Sequence, residues 1–280
     1  MPSNNSSVDD APLTAAVMAP LLTGSLFQPH NYHYVAQLDS TSRTAMAMAR
    51  NGAAEGSVVV AGEQHGGRGR LERSWYHHPS KNLAFSCILR PQIEPMRAVQ
   101  LTLLTGVALA ESVETAGVAG VTLKWPNDLL VAGRKAAGIL SEMVLQGHQV
   151  VVVVIGVGIN VHTTTDDFPP ELRQTATSLM DGQGDGQQLP LSRSQLLAAF
   201  LHRFTDWYRR FLREGFAPVR QQWLARAPFM GRSVRVMLGN ERVDARAIDL
   251  DADGFLLVDH PDRGRCRVVS GDLLLDQWPP

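Results

Sequence analysis

The run Gln149–Ile155 is apolar almost throughout, and Val151–Val154 within it is uniformly β-branched. Such side chains fit a pleated strand, and the lack of polar alternation predicts burial on both faces. A strand of that kind needs a sheet around it and helices to cover it. Ala137–Leu145 reads as its hairpin partner across Gln146-Gly147. Arg97–Ala116 is apolar nearly all round at helical length, so it reads as a buried helix. Ser192-x-x-Gln195 is a capping box opening an amphipathic helix, in which Leu197, Phe200, Leu201, Phe204, Trp207, Tyr208 and Phe211 recur at helical spacing before Gly215. That aromatic stripe reads as core.

Ser57–Ala61 and Leu83–Leu89 read as further strands, and Asp39-Ser40-Thr41-Ser42 offers capping residues to a helix that Gly52 closes. Val121–Trp125 is a strand running into the turn Pro126-Asn127-Asp128. Past Pro228 the pattern changes to short strands, Ser233–Leu238, Arg242–Leu250, Phe255–Val258 and Arg265–Val269, separated by glycine-containing turns. These predict a small β-barrel over residues 230–280, attached to an α+β domain over 31–229. Residues 1–30, rich in Ser, Asn, Pro and Ala, read as a weakly ordered leader.

Composition narrows the function. Lys and Arg number 26 against 27 Asp and Glu, a formal charge of −1, which argues against bulk-charge attachment to nucleic acid or anionic lipid. Residues 1–42 hold no Lys or Arg, an unusual composition for a DNA-binding segment. Cys87 and Cys266 form no CxxC pair, so a reducing, cytoplasmic setting without membrane attachment is expected. No apolar run reaches the roughly 20 residues needed to cross a bilayer.

Three segments can carry chemistry. Gly66-Gly-Arg-Gly-Arg-Leu-Glu-Arg73 combines glycines, which let backbone approach a ligand, with Arg68, Arg70 and Arg73, whose guanidinium groups fork onto carboxylate or phosphate. A solvated loop or a nucleic-acid-binding tract is the plain alternative. The segment is not a Walker loop, because Arg68 and Gly69 replace the Lys and Ser/Thr. Lys124-Trp-Pro-Asn-Asp128, followed by Arg134-Lys135, delivers an acid from a strand end to a turn, although Asn-Asp is also ordinary turn chemistry. Gly156-Val-Gly-Ile-Asn160 suggests a dinucleotide fingerprint, but Val161 fills the third glycine position and no helical pattern follows. The adjacent His77-His78 and the scattered cysteines give no metal-site spacing.

Taken in order, Asp39-Ser-Thr41, Gln64, Gly67-Arg-Gly-Arg-x-x-Arg-x-Trp75, Lys124-Trp-Pro-Asn-Asp128, Arg134-Lys-Ala-Ala-Gly-Ile-Leu140 and Gly156-Val-Gly-Ile-Asn160 resemble the biotin protein ligases over residues 32–278. The resemblance implies a mixed β-sheet with flanking helices, like class II aminoacyl-tRNA synthetase catalytic domains, plus an SH3-like C-terminal barrel. It implies that biotin and ATP, with Mg²⁺, form biotinyl-5'-AMP, and that biotin then passes to a lysine of a biotin carboxyl carrier domain of a biotin-dependent carboxylase. By resemblance, Arg70, Lys135 and Asp128 are catalytic. Ser40, Thr41, Gln64, Gly67, Arg68, Arg70, Trp75, Lys135, Gly138 and Leu140 contact biotin; Arg68, Arg70, Arg73, Trp75, Lys135 and Asn160 contact ATP. Metal ligands are left unassigned. Ser42 stands where many members have Asn. Nothing resembles the DNA-binding domain of the family's repressor members, so a ligase alone is expected, as monomer or homodimer. Lipoate–protein ligase, a degenerate biotin-binding regulator and a nucleic-acid-binding module are the competing readings.

Overall fold

The computed structural model describes residues 11–182, 191–269 and 271–274. Its centre is a seven-stranded mixed sheet in the order β1-β2-β3-β7-β6-β5-β4. The strands are β1 (Tyr32–Leu38), β2 (Val58–Gln64), β3 (Asn82–Leu89), β4 (Val121–Lys124), β5 (Asp128–Val131), β6 (Arg134–Gln146) and β7 (Gln149–Asn160). β1 and β2 run parallel, and the remaining neighbours are antiparallel. The β6–β7 hairpin forms as its sequence predicts, with Gly147 at positive φ in the turn.

One face of the sheet carries the large side chains. Leu83, Phe85, Cys87, Ile155, Val157 and Ile159 join the main core, into which α3 (Ala98–Thr115) and α4 (Arg193–Glu214) also pack. Phe85 meets Phe200 of α4 at a centroid distance of 5.1 Å. On the other face, α2 (Thr41–Arg50) covers Val59, Ile88, Val152 and Val154 through Ala45 and Ala49. Beyond those valines the same face of β7 changes to Gly156 and Gly158. Where the valines end the helix cover ends, and the bare sheet becomes the floor of a cavity.

Two short helices complete this layer, α1 (Ala15–Met18) and α5 (Ala217–Leu224). Residues 11–30 depart from the expected weakly ordered leader. Leu13, Met18, Leu22 and Phe27 are almost fully buried in the main core, and Phe27 packs on Phe204 at 5.9 Å. Burying four such side chains contributes about 1.5–3 kcal/mol each, enough to order a segment whose local periodicity is broken by prolines. Residues 1–10 lie outside the described residues.

The C-terminal part is a four-stranded antiparallel sheet in the order β11-β10-β9-β8, from β8 (Ser233–Leu238), β9 (Glu241–Leu250), β10 (Leu256–His260) and β11 (Gly264–Val268). A backbone bridge between Arg235 and Leu274 brings the chain back beside β8. The buried indole of Trp125 donates to the Gly254 carbonyl at 3.2 Å, so the turn after β4 is pinned to this second sheet. Among the described residues, no helix is long and apolar enough to cross a membrane.

Candidate active site

Cross-strand register fixes which residues share the cavity floor. Lys124, Asp128, Gly138, Gly158 and Ala84 stand opposite one another in a single row across β4, β5, β6, β7 and β3. A second row holds Leu140, Gly156 and Ser86. The middle of the floor is therefore built from the smallest side chains, with charge at one end. The space above it measures about 640 Å³, ample for a drug-sized ligand.

The arginine segment closes over this floor as a tight hairpin. Arg68 and Ser74 form a backbone bridge, Gly69 N–H donates to the Arg73 carbonyl at 2.7 Å, and Trp75 N–H donates to the Gly67 carbonyl at 2.9 Å. Leu71 and Glu72 at the tip both adopt left-handed backbone, φ 54° and 59°, which costs a non-glycine residue about 1 kcal/mol. Arg68 pairs with Glu142 at 3.1 Å. Arg70 Nη1 reaches Asn127 Oδ1 and the Gly271 carbonyl, each at 3.3 Å, and Asp272 at 3.8 Å. Arg73 pairs with Asp272 at 2.5 Å. Burial lowers the pKa of Arg70, against the raising effect of Asp272 and Asp128. An arginine remains a cation through such a shift.

Trp75 lies on the glycines. A Cβ on Gly158 would land within its indole, and one on Gly138 would stand 3.0 Å from it. Lys135 Nζ is 5.6 Å from the ring centroid and pairs with Asp128 at 2.6 Å. Lys135 is fixed by its backbone: its N–H donates to Thr175 and its carbonyl accepts from Thr177, each at 2.9 Å.

The opposite end of the cavity is polar and uncharged. Ser40 stands at the N-cap position of α2 without a capping bond from its side chain, and Gln64 Oε1 accepts from Thr41 N–H at 2.9 Å and from Thr41 Oγ1 at 3.3 Å. Ser86 Oγ donates to Thr41 Oγ1 at 2.9 Å and lies 3.3 Å from Ser42 Oγ. At the wall beyond Trp75, Asn160 donates to the Thr177 carbonyl at 3.0 Å and lies 3.2 Å from the Asn82 side-chain amide.

Tyr76 and Phe168 extend that wall, their rings 5.9 Å apart. Asp167 ties them in place: its carboxylate accepts from Lys81 at 2.6 Å and from Thr164 N–H and Oγ1 at 2.8 Å, while its carbonyl accepts from Tyr76 at 2.7 Å. Burial raises the Asp167 pKa, but the bonds from Lys81 and Thr164 outweigh it and hold the carboxyl well below its usual range. The stability it contributes is complete above the ordinary carboxylate pKa and is lost as pH falls through the depressed folded value. Asp167→Asn is expected to cost about 1–3 kcal/mol at neutral pH. Denaturant midpoints should converge with the unaltered protein as the solution is acidified; a constant gap would contradict this.

Of the residues singled out in the sequence, Ser40, Thr41, Gln64, Arg68, Arg70, Arg73, Trp75, Asp128, Lys135, Gly138, Leu140 and Asn160 all line this one cavity. Gly67 does not. A Cβ there would stand 2.6 Å from both Gln64 Nε2 and the Trp75 carbonyl, so this glycine lets two walls approach rather than meeting a ligand itself. Lys124 and Asn127 also line it, from within the Lys124–Asp128 motif but with no role assigned from sequence; Asp272 was not singled out, and Glu142 is the partner of Arg68. The pairing of Lys124 with Asp128 across the turn could have given Lys124 its place; Asp272 comes from the far end of the chain. Among the described residues, no group of three or more His, Cys, Asp or Glu is placed to hold a metal ion.

A mixed sheet bearing a cavity with one uncharged and one cationic end can be compared with known proteins. Residues 34–160 match the biotin/lipoate A/B protein ligase family, and residues 229–275 match the biotin protein ligase C terminal domain. The bifunctional ligase/repressor BirA of Bacillus subtilis is 37% identical over 244 residues, 87% of this chain and 73% of that protein. The biotin–[acetyl-CoA-carboxylase] ligase of Paracoccus denitrificans is 33% identical over 81% of this chain and 93% of its own. Among solved structures, the biotin protein ligase from Aquifex aeolicus in complex with biotin and ATP aligns with a TM-score of 0.72 at 26% identity, over 87% of this chain and 97% of that one. The chain belongs to the biotin protein ligase family and is an ATP-dependent ligase.

Proposed function

We propose that this cavity activates biotin with MgATP and passes it to a lysine of a biotin carboxyl carrier domain. The observation that carries the reading is the polarity of the cavity: an uncharged hydrogen-bonding end at Ser40, Thr41 and Gln64, and a cationic end at Arg68, Arg70, Arg73 and Lys135. A ureido ring offers N–H donors and a carbonyl acceptor to the first. A dithiolane ring offers neither an N–H donor nor a carbonyl acceptor to this end, which argues for biotin over lipoate. Ser40, Thr41 and Gln64 hold the ring, with Gly138 and Leu140 beneath the chain that follows.

In the first step a biotin carboxylate oxygen attacks the α-phosphorus, the bond to the β-phosphate oxygen breaks, and pyrophosphate leaves with the electron pair. Two anions must meet, so fixed cations at the junction lower the barrier. Arg68, Arg70 and Lys135 supply them, with Arg73 beside the phosphates. Trp75 shields the mixed anhydride from water, and Asn160 meets the nucleotide from the wall. Mg²⁺ bound to ATP would supply charge neutralisation on the phosphates. Asp128 and Asp272 already pair with Lys135 and Arg73, a donor set that fits an ion held mainly by phosphate oxygens.

In the second step the carrier lysine's amine nitrogen attacks the anhydride carbonyl, and AMP leaves with the bonding pair. Asp128 orients the incoming amine through a hydrogen bond, and the released proton passes to solvent. The reading is of a cytoplasmic ligase that does not bind nucleic acid, in line with a net charge of −1. Incubation with biotin, MgATP and a purified carrier domain tests it. Mass spectrometry should find one biotin on one carrier lysine and none when that lysine is replaced by Arg. An unmodified carrier under these conditions contradicts the proposal.

A further inference from the structure

Lys124 closes the charged end of the floor. It stands directly opposite Asp128 on the neighbouring strand, on the side away from Gly138, and so lies one strand further out than the Asp128–Lys135 pair. Adjacent strands are about 4.8 Å apart, so its ammonium extends the cationic end without crowding the centre. The charged groups around it are Asp128, Lys135, Asp272 and Arg73.

Its circumstances differ from those of its neighbours. Arg68 is paired with Glu142, Arg73 with Asp272, and Lys135 with Asp128. Lys124 is half-buried and lines the cavity, yet among the described residues no side chain or carbonyl gives its ammonium a hydrogen bond or an ion pair. Taking an ammonium out of water without a partner is costly, and burial lowers its pKa accordingly. A cation kept in that state at the rim of an anion site is complete when an anion arrives.

On the reading that this cavity joins biotin to ATP, we infer that Lys124 binds the β- and γ-phosphates and receives the departing pyrophosphate. The carboxylate and α-phosphate meet over the glycines, beneath Trp75 and Lys135, so the remaining phosphates extend toward β4. The charge that develops on the leaving oxygen as the bond breaks is then met by Lys124, with Arg73 beside it. The adenylate carries neither of these phosphates, so the transfer step does not use Lys124.

That asymmetry supplies the test. Lys124→Met keeps the length of the side chain on a short edge strand, and Lys124→Arg keeps the charge. Three quantities are measured with the full chain: the KM values for ATP and pyrophosphate in pyrophosphate exchange, the biotin dissociation constant, and single-turnover transfer from supplied biotinyl-5'-AMP to a carrier domain. Lys124→Met is expected to raise both KM values by about tenfold or more, with biotin affinity and transfer within about twofold of the unaltered enzyme and most of the loss recovered in Lys124→Arg. Unchanged KM values, or transfer that falls as far as exchange, overturn the inference while leaving the ligase reading in place. An unaltered enzyme that shows no biotin-dependent exchange overturns both.

Discussion

Arg70→Gly is expected to turn a ligase that keeps its intermediate into one that sheds it. Arg70 enters the site from the hairpin and reaches Asn127, Gly271 and Asp272, contacts that a phosphate-bearing ligand would share or replace. A charge-assisted contact of this kind is worth roughly 1.5–3 kcal/mol, so the adenylate should leave about 10–100 times faster. Lys135 and Arg68 remain, and adenylation continues. The released anhydride is then expected to acylate exposed lysines on bystander proteins to a greater extent than with the unaltered enzyme. Adenylate dissociation followed by rapid filtration, together with labelling of an added inert protein, checks both halves. Retention of the adenylate by the variant would mean that Arg70 does not clamp it.

Gly158→Val should separate the site from the fold. The strand around Gly158 is central and paired on both sides, and valine suits such a position. The new Cβ, however, falls inside the Trp75 indole. Trp75 must then leave the floor, taking with it the wall that Lys135 packs against. Binding of biotin and ATP is expected to fall by about 100-fold or more, the scale of losing several desolvated contacts, while the thermal midpoint stays within a few degrees. Calorimetric titration and a melting curve on one sample decide it. Full binding would place Trp75 elsewhere in solution, and loss of folding would make the glycine structural instead.

The parts of this molecule that could be read from sequence are those set by neighbours along the chain. The β6–β7 hairpin, the all-apolar α3 and the capped, amphipathic α4 each carry a local period or a capping residue, and each forms as expected. The arginine hairpin and the turn before Asp128 were legible as candidate site segments for the same reason. Residues 11–30 were not, because Leu13, Met18, Leu22 and Phe27 follow no helical or strand period and are ordered by what they touch. The reason for Gly158 was also out of reach. Close approach was expected there, yet the group that approaches is the side chain of Trp75, brought from a distant hairpin. Asp272 meets Arg70 and Arg73 across some 200 residues of sequence, a contact that no window along the chain contains.

The central claim is that the cavity activates biotin's carboxylate on ATP. Pyrophosphate exchange tests it most directly: labelled pyrophosphate, MgATP and the purified enzyme, with biotin, lipoate or no acid added in turn. The account predicts label entering ATP with biotin, and neither with lipoate nor without an acid, since Ser40, Thr41 and Gln64 are suited to a ureido ring. Exchange with lipoate in preference to biotin, or no exchange with either, would contradict it.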